Sequence, residues 1–324
     1  MVLNPSILLF LMSIFASVFV VMSSSSMLIS WVGVEFNALT FIPLILLNKH
    51  SREAEASIKY FLTQTLGSLF FLLGALYVLK ANSSLLISVG MLIKMGVAPF
   101  HGWVPSVASS MNWSSLFFML TIQKINPLIL FSMNWTAENL SNFTVIFIVS
   151  SLIFGSVVGL SQANLRKILV YSSISHLGWI LSAIKSSLML AVTYFLIYCL
   201  LLLPITLLCQ KNNLSHLPQL TSMPNTTQIL PIFFLSMLSM GGLPPFLGFF
   251  PKWLVIQHVV EWGPFLTIIM VLTSLLTLFF YLRVTFTSFT LTSMKFNPIF
   301  NELSSNWMLL SLLLSLSGLF FVFF

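Results

Sequence analysis

Aspartate is absent from this chain, glutamate occurs six times, and only 6% of the 324 residues are charged. A soluble domain carries roughly 25% charged residues, so this composition, with 58% hydrophobic residues, excludes a water-soluble globule. The formal net charge of +7 reflects missing acids more than plentiful bases. The thirteen Lys and Arg stand singly along the chain, with no basic face on which a nucleic acid could lie. Two cysteines, Cys199 and Cys209, share one apolar run without a CxxC pair. Iron–sulfur, zinc and haem ligation are therefore unsupported. The histidines at 50, 101, 176, 216 and 258 are too dispersed for a metal site, and no glycine-rich phosphate loop follows a strand. The first 22 residues hold neither Lys nor Arg nor a small-residue cleavage signature, so they read as a spanning helix, not as a leader.

What the chain does have is long apolar runs. A spanning helix needs about 20 apolar residues, and eleven such runs can be marked: Leu3–Met22, Met27–Leu47, Ala56–Leu79, Ser84–Ser109, Trp113–Met133, Asn142–Leu160, Lys167–Ile184, Ser187–Gln210, Thr227–Val260, Pro264–Thr290 and Ser304–Phe324. The expected fold is all-α, a polytopic membrane domain covering 1–324 with very short connections. Basic residues decide orientation. One side collects Lys49, Arg52, Lys59, Arg166, Lys167, Lys211 and Lys295, the other Lys80 and Lys185, so the N-terminus is expected on the positive, matrix or cytoplasmic, side. After eleven crossings the C-terminus lies opposite.

Two of these runs are interrupted by nearly the same words. Gly96-Val-Ala-Pro-Phe-His-Gly-Trp-Val-Pro105 and Gly242-Leu-Pro-Pro-Phe-Leu-Gly-Phe-Phe-Pro251 agree at five of ten positions, with Lys94 shortly before the first and Lys252 directly after the second. Irregular backbone at membrane depth survives only where protein or enclosed water satisfies its polar groups. A break repeated in both halves marks the working site of many transporters. Five spans per half place 1–140 and 141–290 as inverted repeats, with 291–324 as an extra C-terminal helix.

Charge inside the apolar runs is costly, about 2.5–3.5 kcal/mol or more per residue at the bilayer centre. Glu35, Lys94, Lys124 and Lys252 are the candidates that carry it. Lys124 lies near the middle of its run, where its ammonium cannot reach the headgroups. Pro127, three residues on, removes the helical donor of the Gln123 carbonyl and leaves an acceptor for water. Glu35 and Lys94, opposite in sign, would reduce each other's burial cost, and a purely structural ion pair is the plain alternative. His176 shares a helical stripe with Ser172, Ser175 and Trp179, as a relay member or as a neutral histidine satisfied by serines. His101, within the first break, serves a hinge or packing role as readily as a relay. Gln64, Gly67 and Ser68 point to close helix packing. Burial disfavours a charged lysine and a nearby carboxylate restores it, so a lysine whose glutamate changes partner is a switchable proton site.

The stretches LLIKMGVAPFHGWVP around Lys94, EASIKYFLTQ at Glu55–Gln64, LRKILVYSSISHLGW at Leu165–Trp179 and GGLPPFLGFFPKW at Gly241–Trp253 resemble the antiporter-like membrane subunits of mitochondrial NADH:ubiquinone oxidoreductase, respiratory complex I. The resemblance covers essentially the whole chain and is closest to the shorter animal form. It implies that Glu35 is the glutamate of the proton pathway, Lys94 its partner, Lys124 the central lysine and Lys252 the lysine of the second broken helix. It further implies a mitochondrial inner membrane location and neighbouring membrane subunits as partners. Phospholipid contacts, cardiolipin among them, and protons carried on ordered water belong to the same expectation. No cofactor is expected in this chain, since NADH, FMN, the iron–sulfur clusters and ubiquinone are bound by other subunits of that complex.

Two other readings use the same residues. A multi-subunit sodium/proton antiporter would exchange ions without a redox partner and would more naturally use Asp, which is missing here. A structural spacer would keep its lysines dry and tolerate alanine at all four positions.

Overall fold

The computed structural model of the chain describes residues 5–47, 51–76, 83–134, 140–222, 226–244 and 246–292. Among them the structure is helical, with one isolated bridge between Asn164 and His216. The chain divides into two compact units, Met1–Phe147 and Ile148–Phe324. The first contains α1 (Pro5–Ser23), α2 (Met27–Ile45), α3 (Ser51–Leu76), α4 (Ser83–Met95), α5 (Trp103–Ala108), α6 (Trp113–Leu120) and α7 (Ile122–Met133). Helix α8 (Leu140–Leu160) runs from the first unit into the second. The second continues with α9 (Leu165–Ser186), α10 (Leu188–Lys211), a 3-10 turn at Leu217–Ser222, α11 (Thr226–Gly241), α12 (Phe249–Trp262) and α13 (Pro264–Thr292).

Eight of the described segments are long and apolar enough to cross a membrane, while α4 and the Pro231–Gly241 stretch of α11 are shorter apolar pieces. The expected eleventh span, 304–324, lies outside the described residues. Large apolar side chains such as Phe19, Met189 and Phe265 point outward at 70–80% exposure, as a surface facing acyl chains requires. The helix ends are held locally: Ser26, Asn164 and Ser187 accept the backbone N–H groups of Ile29, Arg166 and Leu190. Interior hydroxyls bond back to their own helix, as Ser17 does to the Ile14 carbonyl at 2.6 Å and Ser156 to Leu152 at 2.8 Å.

Both repeated motifs interrupt a helix, and both do so at a glycine in the left-handed region, Gly96 at φ 72° and Gly242 at φ 76°. At Gly96 the Val97 N–H reaches the Leu92 carbonyl and the Gly96 N–H the Ile93 carbonyl, each at 3.1 Å. This is a Schellman ending, which consumes two of the carbonyls a helix end would leave open. At Gly242 a single N–H is shared between Leu238 and Ser239 at 3.1 and 3.2 Å. A methyl on Gly248 would sit 1.8 Å from the Ser239 carbonyl oxygen, so the start of α12 lies directly against the end of α11.

The fifth run, Trp113–Met133, is among the segments long and apolar enough to cross a membrane, with an interruption inside it: α6 ends and α7 begins at Thr121, whose φ −116° and ψ −83° are not helical. The Thr121 hydroxyl takes the Phe117 carbonyl at 2.6 Å, and the Lys124 N–H closes a three-residue turn onto Thr121 at 3.0 Å. A proline lies on the C-terminal side of the interruption, where it removes one helical donor and crowds the carbonyl of Gln123. Pro127 sits inside α7, about one and a half turns beyond the dislocation.

Glycine also sets two helix contacts. In the first unit α3 and α4 meet at Gly67 and Gly90, where a methyl on Gly90 would lie 2.6 Å from the Gly67 carbonyl oxygen and 2.9 Å from the Phe71 nitrogen. In the second unit Gly155 of α8 meets the α9 backbone at Ser175, and Gly178 of α9 meets Ser151 and Leu152. Such approach is how helices associate where lipid removes the hydrophobic drive between them. Helix α9 is buried along almost its whole length and forms the core of its unit.

Replacing Gly90 with Ala should therefore lower the amount of stably folded protein in membranes, at a packing cost of about 1–3 kcal/mol. Gly102→Ala, where no atom lies within 4 Å of the added methyl, should leave it unchanged. Quantifying assembled protein on native gels checks both.

Candidate functional site

The first unit brings two expected residues together. Lys94 occupies the last turn of α4, a position favoured for a cation by the helix dipole. Its side chain is 1% exposed and its Nζ lies 3.6 Å from Oε1 of Glu35 on α2, itself 20% exposed. That distance is an ion pair in Coulombic contact but outside hydrogen-bond reach. The aliphatic stem of Lys94 passes over Gly67 of α3, where a methyl would stand 2.7 Å from its Cγ. Gln64, one turn earlier on α3, donates to the Lys94 backbone carbonyl at 3.4 Å.

Lys124 is the third residue of α7 and is buried, 4% exposed. The dislocation at Thr121 places it in the first turn of a new helix. Its neighbour Gln123 carries a side-chain chain across the unit: Tyr60 Oη on α3 donates to Gln123 Oε1 at 3.0 Å, and Gln123 Nε2 donates to Asn37 Oδ1 on α2 at 3.2 Å. Asn37 is two residues from Glu35, so this chain ties the helix of Lys124 to the helix of the glutamate. On the same helix Asn126, fully buried, donates to Ser17 of α1 at 3.4 Å.

The second unit holds Lys252 and His176. Lys252, in the first turn of α12 and 7% exposed, donates to the Gly241 carbonyl at 2.7 Å and stands 5.9 Å from the Trp179 ring centroid. The latter is at the outer limit of a cation–π contact. Trp179 stacks on Tyr194, ring centroids 6.4 Å apart and 11° from parallel. Tyr194 Oη in turn lies 2.9 Å from Nδ1 of His176. An aromatic bridge therefore leads from the lysine to the histidine. Ser172 and Ser175 donate to the Leu169 and Ser172 carbonyls of their own helix, and the His176 ring meets Tyr194 and Tyr198. Among the described residues, the acid of this unit is Glu261, exposed at the end of α12. His101 lies half-buried in the 96–102 connection, apart from these groups.

Several site residues escape a sequence reading. Tyr60 could have been found, because Glu53, Ser57, Tyr60, Gln64 and Ser68 recur at helical spacing and all are buried, a polar stripe facing inward on α3. Trp103, which donates its indole N–H to the Ile93 carbonyl at 3.1 Å, and Tyr194 look like ordinary apolar packing in the sequence. Arg283 of α13 donates to the carbonyls of Leu160 and Gln162, capping the end of α8. Nothing local announces that partner. Among the described residues no three His, Cys, Asp or Glu side chains gather as metal ligands.

Comparison with known proteins adds the family. The model for the NADH:quinone oxidoreductase/Mrp antiporter membrane family matches residues 24–88 and 82–277. The chain is 39% identical over 328 residues to NADH-ubiquinone oxidoreductase chain 2 of Anopheles gambiae, covering 96% of this chain and 95% of the relative. It is 33% identical to the chain 2 of Bos taurus, covering 94% and 91%. In fold it is similar to a chain of respiratory complex I from Thermus thermophilus, with TM-score 0.81 at 23% identity over 98% of this chain and 78% of that one. It is also similar to a chain of the Mrp complex from Dietzia sp., with TM-score 0.76 at 18% identity over 85% and 59%. With a family model spanning most of its length and relatives above 30% identity along nearly all of it, this chain belongs to the NADH-ubiquinone oxidoreductase chain 2 family.

Proposed function

We propose that the chain is a proton-translocating membrane subunit of respiratory complex I in the mitochondrial inner membrane, with NADH oxidation and ubiquinone reduction carried out by other subunits. The observation that carries this reading is the Lys94–Glu35 pair, buried on the lysine side and held at 3.6 Å, one small movement from either closing or parting. Breaking a buried ion pair costs about 3–5 kcal/mol when one charge is left uncompensated. A movement of Glu35 imposed by a neighbouring subunit would therefore be felt at the ammonium, which can answer by releasing a proton. Lys124, in a helix tied to Glu35's helix through Gln123 and Asn37, is the natural next station. Lys252 and His176 form the corresponding station in the second unit.

The relay is completed by architecture. The repeated breaks support two inverted five-helix repeats, 1–140 and 141–290, followed by the helix at 291–324. The basic residues support an N-terminus on the matrix side and a C-terminus on the intermembrane-space side. Other membrane subunits and phospholipid, cardiolipin among it, surround so apolar a chain, and no cofactor binds within it. A second reading, an ion-exchanging antiporter subunit, has the Mrp-like fold in its favour and the absence of Asp against it.

In the assembled complex, Lys124→Met and Glu35→Gln should each lower proton-coupled turnover by about tenfold or more, a positioned proton donor or acceptor being worth roughly 100-fold or more. Assembly should remain near normal. Proton-to-electron ratios in sealed vesicles read this, and normal pumping in both variants would defeat the relay. Liposomes holding the complex should acidify in response to NADH and ubiquinone whether sodium is present or not; a sodium requirement would favour the antiporter reading.

A further inference from the structure

Both interrupted helices face the same problem, the carbonyls their last turns leave open, and they solve it with different donors. At the second break the donor is the charged group itself: Lys252 Nζ is spent on the Gly241 carbonyl at 2.7 Å. At the first break neutral groups do this work. The Schellman bonds take Leu92 and one lone pair of Ile93. Trp103 Nε1, from the first residue of α5, fills the other lone pair of Ile93 at 3.1 Å. Gln64 Nε2 covers the carbonyl of Lys94 at 3.4 Å. The carbonyls of Leu92, Ile93 and Lys94, near which a lysine in the last turn would otherwise bond, are thus each met by a neutral donor. Among the described residues, the Lys94 ammonium is left with Glu35, at 3.6 Å, as its facing charge and with no hydrogen bond from Nζ shorter than that contact.

We propose that Trp103 and Gln64 are positioning residues for the Lys94–Glu35 pair: by occupying the open carbonyls of α4 with uncharged donors, they keep the ammonium available to the carboxylate. The proposal rests on the relay reading of that pair. Trp103 is well placed for the role. Its ring packs edge-on against Tyr60, centroids 6.0 Å apart, and it lies beside Gly96, where a methyl would be 3.5 Å from the indole. The same aromatic thus connects the break, the carbonyl and the Tyr60–Gln123–Asn37 chain. Removing its N–H while keeping the ring leaves an acceptor one residue from Lys94, and the ammonium turns to it at the expense of Glu35.

The test uses the assembled complex in sealed vesicles, with Trp103→Phe and Gln64→Met alone and each combined with Glu35→Gln. Each single variant is expected to assemble and to lose about tenfold in proton-coupled turnover, since ångström-scale misplacement of a reacting group costs up to ~100-fold. In the Glu35→Gln background neither is expected to cause further loss, because the pair they serve is already gone. Parental pumping in both single variants would overturn the proposal. So would losses that multiply with Glu35→Gln, or failure of both variants to assemble, each of which would assign the two residues to packing alone. Normal pumping by Glu35→Gln itself would instead overturn the relay reading beneath the proposal.

Discussion

A helix stopped at membrane depth exposes carbonyls and N–H groups that lipid cannot satisfy, each at a cost of several kcal/mol. Much of what is unusual in this molecule follows from meeting that demand from inside. Left-handed glycines turn the chain back on itself at both repeated motifs. Side chains from the following helix then reach back to the open carbonyls, an indole in one unit and an ammonium in the other. Breaks of this kind need polar groups gathered around them. Those gathered groups are the same ones on which proton chemistry can be built.

The three interior lysines lie beside interruptions of the helices. Lys94, Lys124 and Lys252 are each less than 10% exposed, and each sits within a turn or so of a helix end instead of in mid-helix. Helix ends bring open backbone groups that a continuous helix hides. At Lys94 the C-terminal end of α4 supplies a favourable dipole and α2 the facing carboxylate; at Lys252, in the first turn of α12, the end of α11 supplies a bare carbonyl. The two units therefore hold their charge by different means despite the shared motif.

Much of this was legible in the sequence. The breaks at Gly96 and Gly242 were announced by glycine and proline in a repeated phrase, and the four interior charges by their cost in apolar surroundings. Approach of Glu35 to Lys94 followed from opposite sign. The break at Thr121 was less visible, because the polar residues around it, Thr121, Gln123, Lys124 and Asn126, carry no turn or capping pattern that marks a helix end. Long-range donors were invisible for a further reason. Trp103 meets Ile93 across a non-helical turn, Gln123 meets Tyr60 across 63 residues, and Arg283 meets Leu160 across 123. Hydrogen bonds of that span leave no periodicity to read. On α9 the tyrosine beside His176 was equally hidden: the serine hydroxyls donate to their own backbone, and Tyr194, 18 residues on, meets the histidine from the next helix.

Arg283 exposes a division among the bases. A guanidinium stays protonated at any physiological pH, whereas an ammonium can lose its proton when its surroundings change. Two of the three arginines of the chain, Arg52 and Arg166, stand in the opening turns of α3 and α9, and the third, Arg283, about two and a half turns before the end of α13, spends its guanidinium on the carbonyls that close α8. The buried cations at 94, 124 and 252 are all lysine. Substituting the stronger base there would conserve charge yet install a cation that never lets go, so permanent charge in this chain goes to anchoring, and the three buried positions keep a base able to give up its proton.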